Sequence, residues 1–177
     1  MKLLKILLLG AFIMLVSNTA SAQKWGIRAG VNISDVNGDG FDTSSKTGLY
    51  AGVYKEIPLV KSLLFIQPEV QYSQEGFSTD LDDVKLDYLT VPILAKVYVV
   101  KLLSFETGPQ FGFLVNDNVD YLDKNSFVPS WAFGTSLNLP LGLSINARYI
   151  TGLDDAFSDP TLSGKNQVIQ VGAAFQF

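Results

Sequence analysis

Apolar and polar residues alternate along most of the chain beyond residue 23. Near the start of this region, Trp25, Ile27 and Ala29 alternate with Gly26 and Arg28. A period of two residues predicts β-strands whose two faces meet different surroundings. The pattern recurs in eight stretches, and the second is the least regular because both of its faces carry apolar side chains. The stretches lie at about 24–33, 47–56, 64–73, 88–99, 103–116, 130–139, 143–150 and 168–177.

The connections between these stretches alternate between long and short. The short ones lie at 58–62, 100–101 and 140–142, and the long, polar ones at about 34–46, 76–86, 117–128 and 153–165. Such alternation is typical of an up-and-down antiparallel barrel whose two rims differ. All thirteen Asp residues lie in or beside the long connections, so most of the negative charge falls on one rim. The sequence therefore predicts an all-β fold, an eight-stranded antiparallel up-and-down transmembrane β-barrel.

Alternation by itself does not say which face of the barrel is outside. Where the alternation is clear, which in the second stretch is up to Val53, the apolar face is bulky and carries no charged residue, whereas the polar face is rich in Gly, Ser, Asn and Gln. Small polar groups suit the narrow interior of an eight-stranded barrel, and a lipid-facing exterior must be apolar. We therefore predict that the apolar face meets lipid; a soluble periplasmic lipocalin-like carrier, with the faces inverted, is the alternative. Aromatic girdles at the membrane interfaces are expected from Trp25, Trp131, Tyr72, Tyr98, Tyr149, Phe175 and Phe177.

Five charged residues lie on the polar face, and they are mixed in sign. Charges inside a barrel are tolerated when they are paired. We expect these residues to form a charge network that fills and rigidifies the lumen. The alternative is that they line a gate or a narrow ion or solute channel of the porin-like kind. The five residues are Arg28, Glu69, Lys96, Glu106 and Arg148.

Residues 1–22 have the pattern of a secretory signal peptide. Two lysines precede an apolar stretch at 7–16, and small residues lead up to Ala22, so cleavage is expected between Ala22 and Gln23. The apolar stretch is shorter than the ~20 residues that span a bilayer. The mature barrel domain is then 23–177, and loss of the two lysines lowers the formal charge from −4 to −6.

The composition excludes several classes of function. The chain has no His and no Cys, so it has no Ser-His-Asp or Cys-His nucleophile, no His- or thiolate-bound zinc and no disulfide. Its formal charge of −4 argues against binding to nucleic acid. We therefore expect a protein that is not an enzyme and that needs no cofactor.

One polar segment resembles the beginning of a calcium-binding loop. Asp35, Asn37 and Asp39 supply oxygen atoms at alternate positions, and a glycine follows at position six. The twelfth position, where such loops carry a bidentate carboxylate, is Lys46. A polar hairpin loop is therefore the favoured interpretation, and no metal site is predicted.

The C-terminal segment ends on alternating aromatic residues. Gln170, Gly172, Phe175 and Phe177 have the spacing polar-x-Gly-x-x-aromatic-x-aromatic. This spacing resembles the terminal strand signal by which bacterial outer-membrane barrels are recognised for assembly. It predicts the barrel-assembly machinery as a partner.

The chain resembles the small outer-membrane β-barrel, or porin-family, proteins of Bacteroidota. The segments that carry the resemblance are WGIRAGVNIS (25–34), GLYAGV (48–53), QPEVQYS (67–73), LDYLTVPIL (86–94), GPQFG (108–112) and ARY (147–149). The resemblance implies a location in the outer membrane of a Gram-negative cell, with both termini in the periplasm and the long loops outside. We expect a structural or surface-interaction role through the acidic loops, with lipid, lipopolysaccharide or another envelope protein as partner.

Overall fold

The computed structural model describes residues 24–38, 44–78, 83–117, 127–153 and 164–177. Eight strands form one closed barrel in which each strand pairs antiparallel with its neighbours in the chain, and the last pairs with the first. The predicted up-and-down barrel is confirmed. The strands are β1 (Lys24–Gly38), β2 (Ser44–Val60), β3 (Leu64–Ser78), β4 (Asp83–Val100), β5 (Leu103–Asp117), β6 (Phe127–Asn138), β7 (Leu143–Gly152) and β8 (Gly164–Gln176).

The strands are staggered, as a closed barrel requires. When the pairing register is followed once round the barrel from Gly26, it returns to β1 at Val36. Such a shear tilts the strands by roughly 35–45° from the barrel axis. Because of this tilt, inward side chains that meet at one height come from different positions along their strands.

The two faces of the sheet are sorted by polarity. Along β7, exposed Ile145 and Ala147 alternate with buried Asn146 and Arg148. The large exposed side chains on the other strands are likewise mostly aliphatic or aromatic, and the buried ones are mostly polar. A soluble barrel buries its apolar face, so the lipocalin-like alternative is wrong and the predicted lipid-facing exterior is confirmed.

The inward side chains of β2 explain why the alternation of this strand is indistinct in the sequence. Tyr50 and Tyr54 are inward residues, and both are almost fully buried. The Tyr54 ring fills the space where a side chain on Gly26 would lie, and Tyr50 does the same for Gly30 and Gly172. Glycines on β1 and β8 therefore make room for large rings inside a lumen that has little space.

One of the three short connections, between β2 and β3, is shorter than the sequence predicts. β2 continues to Val60, beyond the predicted end at 56, and the turn to β3 occupies only 61–63. Pro58 lies within β2, next to a register shift between Pro58 and Val60, because an irregular pairing tolerates a residue without an N–H. The turn at Pro140–Gly142 lies where the sequence predicts it, and the turn at 101–102 lies one residue beyond the predicted 100–101.

Pro68, in the middle of β3, interrupts the ladder without shifting it. Between β3 and β4 the pairing passes from Pro68 opposite Ile93 to Gln71 opposite Thr90 and keeps its register.

No helix in the described part of the chain is long and apolar enough to cross a membrane. The predicted signal peptide, with its cleavage site at Ala22 and Gln23, lies outside the described residues.

Candidate functional site

A layer of four charged side chains crosses the middle of the lumen. Each odd-numbered strand contributes one of them: Arg28 from β1, Glu69 from β3, Glu106 from β5 and Arg148 from β7. All four are at least 95% buried. We call these four residues the lumen plug. Its two positive and two negative charges cancel, which reduces the cost of placing ions away from water.

Glu69 lies at the centre of the lumen plug. Its Oε1 accepts from Nη1 of Arg28 at 3.0 Å and from Nη2 of Arg148 at 2.8 Å. Nη1 of Arg148 donates to Oε2 at 3.1 Å. The side-chain amides of Gln67 and Gln71, its neighbours on the same face of β3, also donate to this carboxylate. Charge-assisted hydrogen bonds of this kind are stronger than neutral ones, so the carboxylate is held in one position.

The other acid, Glu106, is held mainly by Arg148. Its Oε1 accepts from Nε at 2.9 Å and from Nη2 at 2.6 Å of that arginine. Arg28 Nη1 lies 3.7 Å from the same oxygen. Arg148 therefore bridges both acids of the layer, and the planar guanidinium is suited to this because its donors point in fixed directions.

A tyrosine and an asparagine complete the layer beside Arg28. Nη2 of Arg28 donates to Oδ1 of Asn146 at 2.6 Å, and the hydroxyl of Tyr50 donates to the same oxygen at 3.0 Å. The guanidinium carbon of Arg28 also lies 5.5 Å from the centre of the Tyr50 ring. Together with the glutamines beside Glu69, these groups extend the hydrogen-bonded layer across the lumen.

Lys96, the fifth charge in the predicted network, has a different main partner. Its Nζ donates to Oε1 of Glu56 at 2.7 Å, and the hydroxyl of Tyr98 donates to the same oxygen at 2.9 Å. Glu56 is absent from the predicted set because it is the last residue of the predicted second stretch, whose alternation is indistinct. The alternation of Tyr50, Gly52 and Tyr54 extends to Glu56 and would have found it. Tyr98 faces this cluster, so its assignment to a lipid-facing girdle is wrong.

The other predicted girdle residues that are described lie on the outward face. Tyr72, Tyr149, Phe175 and Phe177 are exposed. Trp131 donates from Nε1 to the hydroxyl oxygen of Thr107 at 2.9 Å. Trp25 lies opposite Lys55, whose Nζ is 5.1 Å from the centre of the indole ring. These positions fit the expected outward-facing girdles.

A cavity of about 600 Å³ opens at the end of the barrel where the short turns lie. Glu56, Lys96 and Tyr98 lie in its wall, together with the apolar side chains of Phe65 and Leu143. The tightly bonded lumen plug lies further along the lumen. We call this space the vestibule.

A much smaller cavity, of about 20 Å³, lies in the other half of the lumen. Its lining includes Thr90 and Gln110, whose side-chain oxygens have no hydrogen-bond partner within the protein. A space of this size holds about one water molecule. Close to it, Leu94, Ala132, Ile150 and Val168 form a buried apolar cluster inside the barrel. This half of the lumen therefore contains both polar groups and an apolar cluster.

The remaining predicted residues lie at the ends of β1 and β8. Asp35 and Asn37 continue β1 in an extended strand opposite Gln167 and Lys165. Asp39 is outside the described residues, so calcium binding there stays a prediction. Gln170 is fully buried on the inward face of β8, and the exposed rings of Phe175 and Phe177 are 6.3 Å apart. Recognition of this terminal segment by the assembly machinery stays a prediction as well.

Within the described ranges, no group of three or more acidic, His or Cys side chains is arranged to hold a metal ion. The four charges of the lumen plug are engaged in hydrogen bonds with one another. Glu75, a further buried acid on β3, accepts from the Ser73 hydroxyl at 2.9 Å. A closed antiparallel barrel with an apolar exterior and a polar, filled interior defines a transmembrane β-barrel of the bacterial outer membrane.

Residues 18–158 match the family model described as Outer membrane protein beta-barrel domain, and the chain belongs to this family. The fold is similar to that of Ail, the attachment invasion locus protein of Yersinia pestis. That match has 16% identity and a TM-score of 0.58, and it covers 87% of this chain and 98% of Ail. No curated protein sequence matches the chain.

Two further solved barrels have similar folds. Neisserial surface protein A matches at 11% identity with a TM-score of 0.57, over 86% of this chain and 97% of that one. OprG from Pseudomonas aeruginosa matches at 12% identity with a TM-score of 0.51, over 88% of this chain and 96% of that one. The family and these folds support a location in the bacterial outer membrane.

Proposed function

We propose that the protein is a closed, non-enzymatic barrel that serves as a scaffold for its acidic loops at the cell surface. The observation that carries the proposal is the lumen plug. Arg148, from β7, bonds to Glu69 on the opposite side of the barrel and to Glu106 on β5. A barrel that conducts solutes needs an open lumen, and eight strands leave room for little more than side chains.

The charge distribution indicates the kind of partner that the loops take. All thirteen Asp residues lie in or beside the long connections of the sequence, and the mature chain carries a formal charge of −6 because it loses two lysines with residues 1–22. An acidic surface attracts cations and cationic segments. We therefore favour lipopolysaccharide bridged by divalent cations, or a basic surface of another envelope protein.

This preference contrasts with one of the related folds. Ail has been solved in complex with the heparin analogue sucrose octasulfate, a polyanion. The aspartates of this chain would repel such a ligand at low salt. Similarity to Ail therefore supports the architecture here, and the proposed partner follows from the charge of this sequence.

Conductance across a planar bilayer tests the closed lumen. We expect the purified, refolded protein to insert without stable single-channel steps. Steps that change in the Glu106→Gln variant would instead establish the narrow channel. Thr107→Ser is the matched control, because it alters the outward neighbour of Glu106 and leaves the lumen unchanged.

Retention of lipopolysaccharide tests the role of the loops. We expect the protein in detergent to retain lipopolysaccharide in millimolar Mg²⁺ and to release it when the ion is chelated. Changing Asp154 and Asp155 to Asn should weaken retention, whereas Ser144→Ala, inside the vestibule, should not. Retention of lipopolysaccharide that is unchanged both by chelation of the ion and by the two Asp→Asn substitutions would contradict this role.

Two finer assignments belong to the same proposal. The motif set from 25–34 to 147–149 supports membership of the porin-like barrels of Bacteroidota. The terminal spacing of Gln170, Gly172, Phe175 and Phe177 supports delivery by the barrel-assembly machinery. Removing the two phenylalanine rings by Phe175→Ala and Phe177→Ala should reduce the fraction of folded barrel in cells while leaving folding in detergent intact.

A further inference from the structure

The turns at one end of the barrel are unusually apolar. Leu63, Leu102 and Leu141 occupy the three short turns, and all are exposed. Lys61 and Lys101 lie beside them in the same turns and are also exposed. We call these five residues the turn rim. In bacterial outer-membrane barrels the short turns face the periplasm.

Among the described residues, the charged side chains exposed at this end are all positive. Lys24 at the start of β1 is exposed, as are Lys61 and Lys101. Among the described side chains at this end, the one carboxylate belongs to Glu56, which is 2% exposed and bonded to Lys96. A chain with an overall negative charge therefore presents a basic surface at its short turns.

The backbone of Leu141 has a conformation that costs free energy. Its side chain is 88% exposed, and its backbone has φ 66° and ψ 20°, in the left-handed region that favours Gly or Asn. A large apolar side chain in water gains nothing that would offset this conformation. The same side chain is favourable where it enters an apolar phase, so the turn is suited to contact with lipid.

The apolar surface is also continuous from the barrel wall to the turns. Leu59 and Val60 at the end of β2 are exposed, as are Val99 and Val100 at the end of β4. Leu63 and Leu102 lie within three residues of these strand ends, and the exposed residues Lys61, Ser62 and Lys101 lie between them in the turns. The lipid-facing belt therefore extends to the turns themselves, which places Lys61 and Lys101 at the level of the lipid headgroups.

We propose that the turn rim binds anionic phospholipid headgroups in the periplasmic leaflet of the outer membrane. The leucines enter the boundary between headgroups and acyl chains, and the lysine ammonium groups extend from it to the phosphates. Charge complementarity favours anionic headgroups over zwitterionic ones. The turn rim adjoins the lipid-facing wall of the barrel, and this favours lipid as its partner. A soluble periplasmic protein would instead approach the turns along the barrel axis.

Competition between two lipids tests the proposal. The refolded protein in detergent receives equal amounts of phosphatidylglycerol and phosphatidylcholine with the same acyl chains, and native mass spectrometry counts the lipids retained. We expect the wild type to prefer phosphatidylglycerol at low salt. Changing Lys61 and Lys101 to Gln should lower the preference by about fivefold per lysine, and raised salt should lower it further.

Lys124 and Lys165 supply the matched control, because they lie in the sequence at the long-loop end of the barrel. Changing both to Gln should leave the preference unchanged. A wild type without preference for phosphatidylglycerol overturns the proposal, and is the result expected if a protein covers the turns. A Lys61/Lys101 variant that keeps the wild-type preference, or a control that loses as much, overturns it as well.

Leu141→Asn separates the apolar contact from the charge. Asn suits the left-handed backbone, so the variant should fold at least as well as the wild type, which a gel shift between unheated and heated samples verifies. We expect it to retain less of both lipids while keeping the ratio between them. Unchanged retention of both lipids would overturn the apolar part of the proposal.

Discussion

Arg148 bonds to Glu69 across the full width of the barrel, with Nη2 2.8 Å from Oε1 and Nη1 3.1 Å from Oε2. The two residues belong to β7 and β3, which lie opposite each other in the closed sheet. A two-donor contact of this kind fixes both the distance and the angle between the groups. It ties together two walls that share no backbone hydrogen bonds.

Glu69→Gln should be the most damaging neutral replacement in the lumen plug. It leaves Arg28 and Arg148 buried with Glu106 as the one remaining acid of the layer, and breaking a buried pair in this way costs about 3–5 kcal/mol. Glu106→Gln is the matched control and should cost less, because Glu69 still bonds to both arginines. Urea unfolding in detergent measures both. Equal losses would contradict the central place of Glu69.

Lys96 and Glu56 should behave as a coupled pair. Lys96→Met removes the ammonium partner of Glu56 and leaves this buried carboxylate bonded to the Tyr98 hydroxyl, so the folded state should lose about 1–3 kcal/mol. Adding Glu56→Gln should recover part of that loss, because no unpaired charge then remains. A double-mutant cycle on the free energy of unfolding gives the coupling. Additive effects of the two changes would show that the contact is not formed.

Gly172→Ala should destabilise the barrel by overpacking. A Cβ on Gly172 would lie 2.4 Å from the Tyr50 hydroxyl and 2.3 Å from the carbonyl oxygen of Ala29. Overpacking of this kind costs about 1–3 kcal/mol. Gly112→Ala is the control, because its nearest neighbour, the carbonyl oxygen of Val128, is 3.3 Å away. The two thermal unfolding midpoints should therefore differ, and equal midpoints would show that the lumen adjusts freely.

The outward face can be tested with a single charge. Phe133 is 52% exposed in the middle of β6, so Phe133→Arg should destabilise the folded barrel in lipid by about 2–4 kcal/mol. Leu141→Arg, at a turn, should cost at most about 1 kcal/mol because the charge remains near the interface. Folding titrations in phospholipid vesicles measure both. An unchanged free energy of folding in the Phe133→Arg variant would contradict a lipid-facing position of Phe133.

The period of two residues was sufficient to predict the strands, their antiparallel order and the polarity of each face. These features follow from local geometry, since successive side chains of a strand point to opposite sides. Alternation also placed Arg28, Glu69, Glu106 and Arg148 on the inward face. The prediction was weakest where strands end, and Glu56 was missed for that reason.

Which inward charges meet was decided only by the tertiary structure. The stagger of the closed sheet sets the height of every inward residue, so Arg28, Glu69, Glu106 and Arg148 converge while Lys96 bonds to Glu56 nearer the short turns. Tyr98 shares the inward face of Lys96 by alternation along β4, and therefore lies in the vestibule wall rather than in an outward girdle. The sequence determined the faces of the barrel because they depend on neighbours along one strand. The contacts across the lumen depend on how all eight strands are staggered relative to one another. The residue pattern of one strand does not contain this information.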